Sequence, residues 1–285
     1  MLVDCITDFN DFIYELKSVI QSTNIILFLI FNPSIFFSQK ISKEIALSYQ
    51  IDGINVDRYG YIYEISYDNL FKKNKNNQII YSYSNKNLGK ISQVDVSNPL
   101  RPLLLYRDMG VICVLDNTLS QQEKNIDLNS MSLYQTNCIA NSNFDNGIWL
   151  FDVDINEIIK VDIHSNITYR SGNLAVILPD FKGPIIRMEE YNKHLFAFTK
   201  NQIFEFDQFG SLVHTIPASA SMGFIYDDDS YILYDGTYFL KYFKLDFKLD
   251  TLIKNSSYLK VVGELNEAVG FYKDLTKIQF LKFDF

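Results

Sequence analysis

An apolar run ending in an aromatic side chain is written six times along the chain: Tyr61–Tyr63, Leu103–Tyr106, Ile148–Phe151, Leu195–Phe198, Tyr231–Tyr234 and Val269–Tyr272. The copies recur about every 40 residues, a period at which whole supersecondary units stack into propellers or solenoids. In five copies a second apolar strand follows and closes on Asp116, Asp162, Asp207, Asp246 or Asp284. The first copy departs: Ser84 takes that place, after Tyr67–Gln78 (YDNLFKKNKNNQ), which reads as an insertion. The runs alternate or stay apolar over only about 4–6 residues, which excludes helical repeats of similar length. They are rich in Ile, Val, Tyr and Phe, which suit a pleated, half-buried surface.

A unit of about 40 residues holding about four short strands is a propeller blade. The chain therefore reads as all-β, a six-bladed β-propeller of four-stranded blades. The blades start near Ile51, Ile91, Gln135, Ile185, Met222 and Tyr258. Ile41–Gln50 reads as a lone strand ahead of the first blade, and the last blade lacks its outer strand. Pairing Ile41–Gln50 with the strand around Lys277–Asp284 removes two open edges, so the ring is expected to be closed by an N-terminal strand. The recurring aromatics read as packing between blades. The recurring Asp residues read as turn formers, each accepting a backbone N–H two residues on.

The domain reading is a signal-peptide region over residues 1–38 and a single propeller over 39–285. Ile25–Phe37 is an apolar run broken by Pro33, short for a span of about 20 residues and suited to a secretory h-region with Ser38 at the cut. The acidic leader, with Asp4, Asp8, Asp11 and Glu15 against Lys17, departs from that pattern and is accounted for if translation starts later. Cleavage before Gln39 leaves about 41 residues per blade, in agreement with the repeat. The localisation expected is periplasmic or secreted.

The formal net charge is −8, and no basic stripe exists to neutralise phosphates, so a nucleic-acid partner is not expected. His164, His194 and His214 have no ligand spacing, and no G-x-S-x-G or Gly-rich phosphate loop occurs. Cys113 and Cys138 sit in neighbouring blades, and they read as buried thiols or as a pair formed under oxidising conditions. Asp227-Asp-Asp229 reads as a solvated acidic turn. No cofactor, metal or catalytic residue is assigned. The alternative is a metal-dependent, lactonase-like hydrolase with a site on the propeller axis, for which Asp57, Asp95, Asn137, Glu189 and Glu264 are the candidate ligands by fold analogy alone.

The apolar–aromatic strands and closing Asp residues resemble those of six-bladed propellers in the broad group of NHL-repeat and TolB-like domains. Val94-Asp-Val-Ser-Asn-Pro99 with Leu103–Tyr106, and Val114–Leu119, are similar to uncharacterised exported proteins of Bacteroidota. That resemblance implies an envelope or secreted protein of unassigned role and carries over no catalytic residue. The function expected is a non-enzymatic, monomeric module that binds a protein partner or acts as a scaffold in the cell envelope. Its partner-binding residues are expected on Tyr67–Gln78 and on the long connection Ser171–Pro184, namely Lys72, Lys73, Lys75, Leu174 and Phe181. The two stretches are expected to share one face of the ring. The opposite face is expected to collect Asp57, Asp145, Glu189, Glu190 and Asp227–Asp229.

Overall fold

The computed structural model describes residues 38–47, 51–122, 124–178, 180–218, 222–227, 229–264, 267–274 and 276–284. The signal segment Ile25–Phe37 lies outside them. The described residues of the compact unit Gln39–Asp284 form six antiparallel sheets of four strands. Blade one holds β2 (Gly53–Val56), β3 (Ile62–Ser66), β4 (Asn69–Lys73) and β5 (Ile79–Ser84), and blade two holds β6 (Gln93–Asp95), β7 (Leu103–Tyr106), β8 (Val111–Val114) and β9 (Ile126–Asp127). Blade three holds β10 (Thr136–Asn141), β11 (Ile148–Asp152), β12 (Glu157–Val161) and β13 (Ile167–Arg170). Blade four holds β14 (Arg187–Tyr191), β15 (His194–Phe198), β16 (Ile203–Phe206) and β17 (Leu212–Ile216). Blade five holds β18 (Met222–Asp227), β19 (Ser230–Tyr234), β20 (Tyr238–Phe243) and β21 (Lys248–Lys254).

The sixth sheet is ordered β1-β24-β23-β22, with β1 (Ser38–Ala46), β22 (Tyr258–Glu264), β23 (Glu267–Tyr272) and β24 (Lys277–Asp284). Its outer strand thus comes from the N-terminal side, a few residues earlier than Ile41–Gln50. Leu47 donates its N–H to Thr276 O (2.8 Å), and Lys277 Nζ lies 3.1 Å from a Glu44 oxygen. Deleting residues 38–47 is expected to expose the β24 edge and to produce aggregation or loss of a single cooperative melt. Size-exclusion chromatography with calorimetry reads both, and a monomer with an unchanged melt would show that β1 is dispensable.

The inner strands of successive sheets touch, as in β6 with β10, β10 with β14, β18 with β22 and β22 with β2. Six apolar clusters fill the six junctions between sheets. The recurring aromatics pack into four of them: Tyr63 and Tyr106 between blades one and two, Phe151 between three and four, Phe198 between four and five, and Tyr234 with the half-buried Tyr272 between five and six. Full burial of one such ring stabilises by about 1.5–3 kcal/mol, which is why each copy keeps one.

Three of the closing Asp residues organise the turn between third and fourth strands, whereas Asp284 ends β24, whose outer neighbour is β1, so the turn reading does not hold there. Asp116 Oδ1 accepts the N–H groups of Thr118 (2.8 Å) and Ser120 (2.9 Å), and Asp162 Oδ1 accepts those of His164 and Asn166 (both 2.8 Å). Asp207 repeats the pattern with Phe209 and Ser211. In that turn Gly210 takes φ +84°, and a Cβ there would strike the Tyr169 ring.

Blade one obeys the same rule, which corrects the reading of Tyr67–Gln78 as an insertion. Tyr67 makes a tight turn at φ +54°, β4 follows, and Asn74 takes the Asp role by accepting from Asn76 N (2.9 Å) and Gln78 N (3.0 Å). Ser84 ends the fourth strand, not the third. Lys72 and Lys73 are therefore buried strand residues rather than a solvated loop. Cys113 and Cys138 are free, buried, and in different clusters.

Candidate functional site

The pleat turns one polar side chain of most inner strands toward the neighbouring blade. Asn55 Nδ2 donates to Val94 O (2.8 Å), and Gln93 exchanges two bonds with the Ile139 backbone (both 2.9 Å). Asn137 Nδ2 donates to Ile185 O (2.7 Å), Arg187 Nη1 to Gly223 O (2.6 Å), and Lys260 Nζ to Ile54 O (2.9 Å). Between blades five and six the inner-strand contact is softer, Val261 N to Met222 Sδ at 3.4 Å. Asn55, Gln93, Arg187 and Lys260 line an axial cavity of about 670 Å³ that also meets Arg58, Lys90, Asp95, Glu189 and Glu190.

Most of the charges in that cavity are already matched. Arg187 pairs with Glu189, and Lys90 lies 3.1 Å from Asp52. Lys260 instead meets neutral oxygens, of Ile54 and of the Asn55 side chain (3.3 Å). Burial lowers its pKa to about 8, and the Arg187 charge acts in the same direction. The ordinary lysine value is about 10.4. Between the two values the unfolded chain holds the proton and the folded chain does not, so the contribution of Lys260 to stability rises with pH across that window. Cys113 contributes in the opposite sense, because burial pushes its thiol up to about 11 and that stability is lost as pH rises toward it. The difference between wild type and Lys260→Met isolates the lysine. It is expected to climb from about pH 8 to about pH 10 in denaturant titrations, and a flat difference would mean that the amine stays solvated.

The axial metal candidates do not converge. Asp57 accepts the N–H groups of Tyr59 and Tyr61 (both 3.0 Å) and the Tyr63 hydroxyl (3.1 Å). Asp95 binds Ser97 N (2.8 Å) and the Asn141 backbone, Asn137 is committed to Ile185, and Glu189 to Arg187. Glu264 lies on β22, where its backbone pairs with Glu267. Among the described residues no group of three or more His, Cys, Asp or Glu side chains is placed to hold a metal ion. Asp227 accepts from Asp229 N (2.9 Å) and the Ser230 hydroxyl (2.7 Å), closing its own hairpin.

The residues expected to meet a partner are placed differently. Lys72 is buried over the Tyr61 and Tyr63 rings and donates to Asn117 O of blade two (2.9 Å). Lys73 pairs with the buried Glu64 at 2.6 Å. Leu174 is buried, and Phe181 is half-buried between Phe151 and Phe204. Lys75 alone of the five is exposed, in the β4–β5 turn. Antiparallel order puts that turn on the face opposite Tyr67 and Ser171–Pro184, so the two stretches share a face only through Tyr67. Glu190, expected on the acidic surface, is buried.

The face with the second-to-third-strand turns and the blade connections carries a different set. Tyr67 and Tyr134 are each 60% exposed, and Val176, in helix α1 (Leu174–Ile177), is 79% exposed. Met109, Val153 and Ile177 are exposed on the same face. Hydrogen bonds link their loops from blade to blade. Ile91 N donates to Tyr67 O (2.9 Å), Arg107 N to Ser92 Oγ (3.2 Å) and Asn129 Nδ2 to Met109 O (3.1 Å). Val153 N donates to Gln135 O (3.0 Å) and Leu174 N to Asn156 O (2.8 Å). The result is one stiff apolar arc over blades one to three. The sequence signalled only its last part, the apolar Leu174–Leu178 inside a polar connection.

No helix among the described residues is long and apolar enough to cross a membrane. No family model matches the chain, and no curated protein matches it. Solved structures match in number, 703 chains, so the fold is common and does not by itself choose a function. A streptogramin B lyase is 14% identical over 87% of this chain and 88% of its own, with a TM-score of 0.58. A chain of the Mitotic Checkpoint Complex is 9% identical over 86% of this chain and 92% of its own, with a TM-score of 0.61. A protein of unknown function from Bacteroides thetaiotaomicron is 10% identical over 87% of this chain and 76% of its own, with a TM-score of 0.60. At these identities the likeness is one of fold, and the chain is a six-bladed β-propeller.

Proposed function

We propose that the chain is an exported, non-enzymatic propeller that binds a protein partner in the cell envelope through its connection face. The observation that carries this reading is the apolar arc of Tyr67, Met109, Tyr134, Val153, Val176 and Ile177. Exposed apolar side chains held on a rigid, hydrogen-bonded rim mark interaction surfaces, because their ordering entropy is already spent before a partner arrives. The axial polar groups support the non-enzymatic half of the reading, since most are committed to blade junctions.

A photo-crosslinking residue at Tyr134 in the native host tests the proposal, with Phe209 on the opposite face as control. The expected result is a discrete adduct from Tyr134 only, reduced on the order of tenfold by Val176→Asp. Equal adducts from both faces would refute it. Terminal sequencing of the exported protein is expected to begin at or near Gln39, and retention of Ile25–Phe37 would end the export reading.

A further inference from the structure

The junction between blades six and one is lined mainly by aliphatic side chains. Its buried members are aliphatic apart from Phe271. Gly60, Gly263 and Ala268 add little side-chain volume there, and a cavity of about 420 Å³ remains. That size lies within the usual range for small-molecule sites, about 300–1,000 Å³. Val56, Val269, Phe280 and Leu281 give it an apolar floor.

The mouth is cationic. Lys43, Arg58 and Lys75 stand around it, all exposed. The Lys43 amine donates to the main-chain oxygen of Lys75 and lies 6.0 Å from the Phe280 ring centre, so the two lysines are held together at the rim. Among the described residues neither lysine has a carboxylate partner. Arg58 donates one nitrogen to Ser97 O (2.9 Å). The carboxylates nearby are Asp57, whose oxygens serve its own turn and Tyr63, and Glu267, exposed at the rim. The balance at the mouth is positive although the whole chain carries −8.

We propose that this cavity binds a small amphipathic carboxylate, with its apolar body on the valine, leucine and phenylalanine floor and its anionic head between Lys43, Arg58 and Lys75. The cavity draws its walls from β1 and β24 on one side and from blade one on the other. A bound ligand therefore joins the chain's N-terminal strand, its last blade and its first. It stabilises the folded ring by mass action, with a melting temperature that rises with ligand concentration.

The test uses the full chain and decanoate below its micelle threshold, with decanol and decyltrimethylammonium as neutral and cationic controls of equal length. Titration calorimetry and thermal melts are expected to show saturable binding and a raised melting temperature for decanoate alone. The exposed double variant Lys43→Glu/Lys75→Glu is expected to weaken binding on the order of tenfold, while Lys200→Glu, on a distant turn, leaves it unchanged. Equal shifts with decanol, no saturable binding, or unaltered affinity in the double variant would each overturn the proposal. Binding to phosphatidylglycerol vesicles without decanoate binding would also overturn it, by pointing to a membrane surface instead.

Discussion

Glu190→Ala is expected to lower stability by about 3–5 kcal/mol, the range for stripping a buried charge's partners of their acceptor. Glu190 belongs to blade four, yet every donor it receives comes from blade three. Its Oε2 accepts the Trp149 indole N–H (2.6 Å) and the Ser142 hydroxyl (2.8 Å). Its Oε1 accepts the backbone N–H groups of Asn143 (2.8 Å) and Phe144 (3.1 Å). Alanine leaves all four donors without this acceptor in a junction that also loses its packing. The melting temperature is expected to fall on the order of 10 °C. Trp149 is the only tryptophan, so its emission reports this junction directly and is expected to shift to the red. A loss below about 1 kcal/mol would mean that water takes over the carboxylate's role.

The second large effect concerns Glu64 and Lys73, whose side chains are 0% and 6% exposed and meet at 2.6 Å between β3 and β4. Lys73→Met is expected to cost about 3–5 kcal/mol, because it leaves the carboxylate buried without its cation. The double variant Glu64→Leu/Lys73→Met is expected to recover most of that loss, since a buried ion pair gains little over apolar side chains of similar volume. Denaturant titration of the two variants separates these outcomes. A double variant less stable than Lys73→Met would show that the pair stabilises the blade in its own right.

The same two residues show where sequence reading stopped. Lysines 72 and 73 stand beside Asn74, Lys75, Asn76 and Asn77, a composition that normally marks a solvated loop. Their burial depends on Glu64, across the β3–β4 hairpin, and on the Asn117 carbonyl of blade two, a pairing that the loop-like composition hides. Blade one departs from the repeat in sequence for a related reason, because Asn74 performs a task that Asp performs in its neighbours. Glu190 reads as surface charge in the sequence because its donors lie more than 40 residues earlier. The blade starts and the turn-forming role of Asp116, Asp162 and Asp207 were legible, because strand alternation and an Asx turn are local chemistry. The exposed arc was mostly illegible. Met109 and Tyr134 are single apolar residues in loops, and nothing local separates them from residues that turn inward.

The pairing of β1 with β24 also bears on how the molecule is made. Hydrogen bonds within blades one to five join strands that are near neighbours in sequence, so each of those sheets can form as soon as its own segment is free to fold. The bond from Ser42 Oγ to Phe280 O spans 238 residues. Strand β1 must therefore wait for β24, which follows it far along the chain. During that interval it is an unpaired edge, the kind of segment that recruits the wrong partner. Its composition suits the wait: Lys40, Lys43 and Glu44 break the apolar pattern, and Ile45 is its single buried side chain among those described. A strand that joins late gains from being soluble before it joins, and a delay in making β24 should prolong the interval in which β1 is exposed.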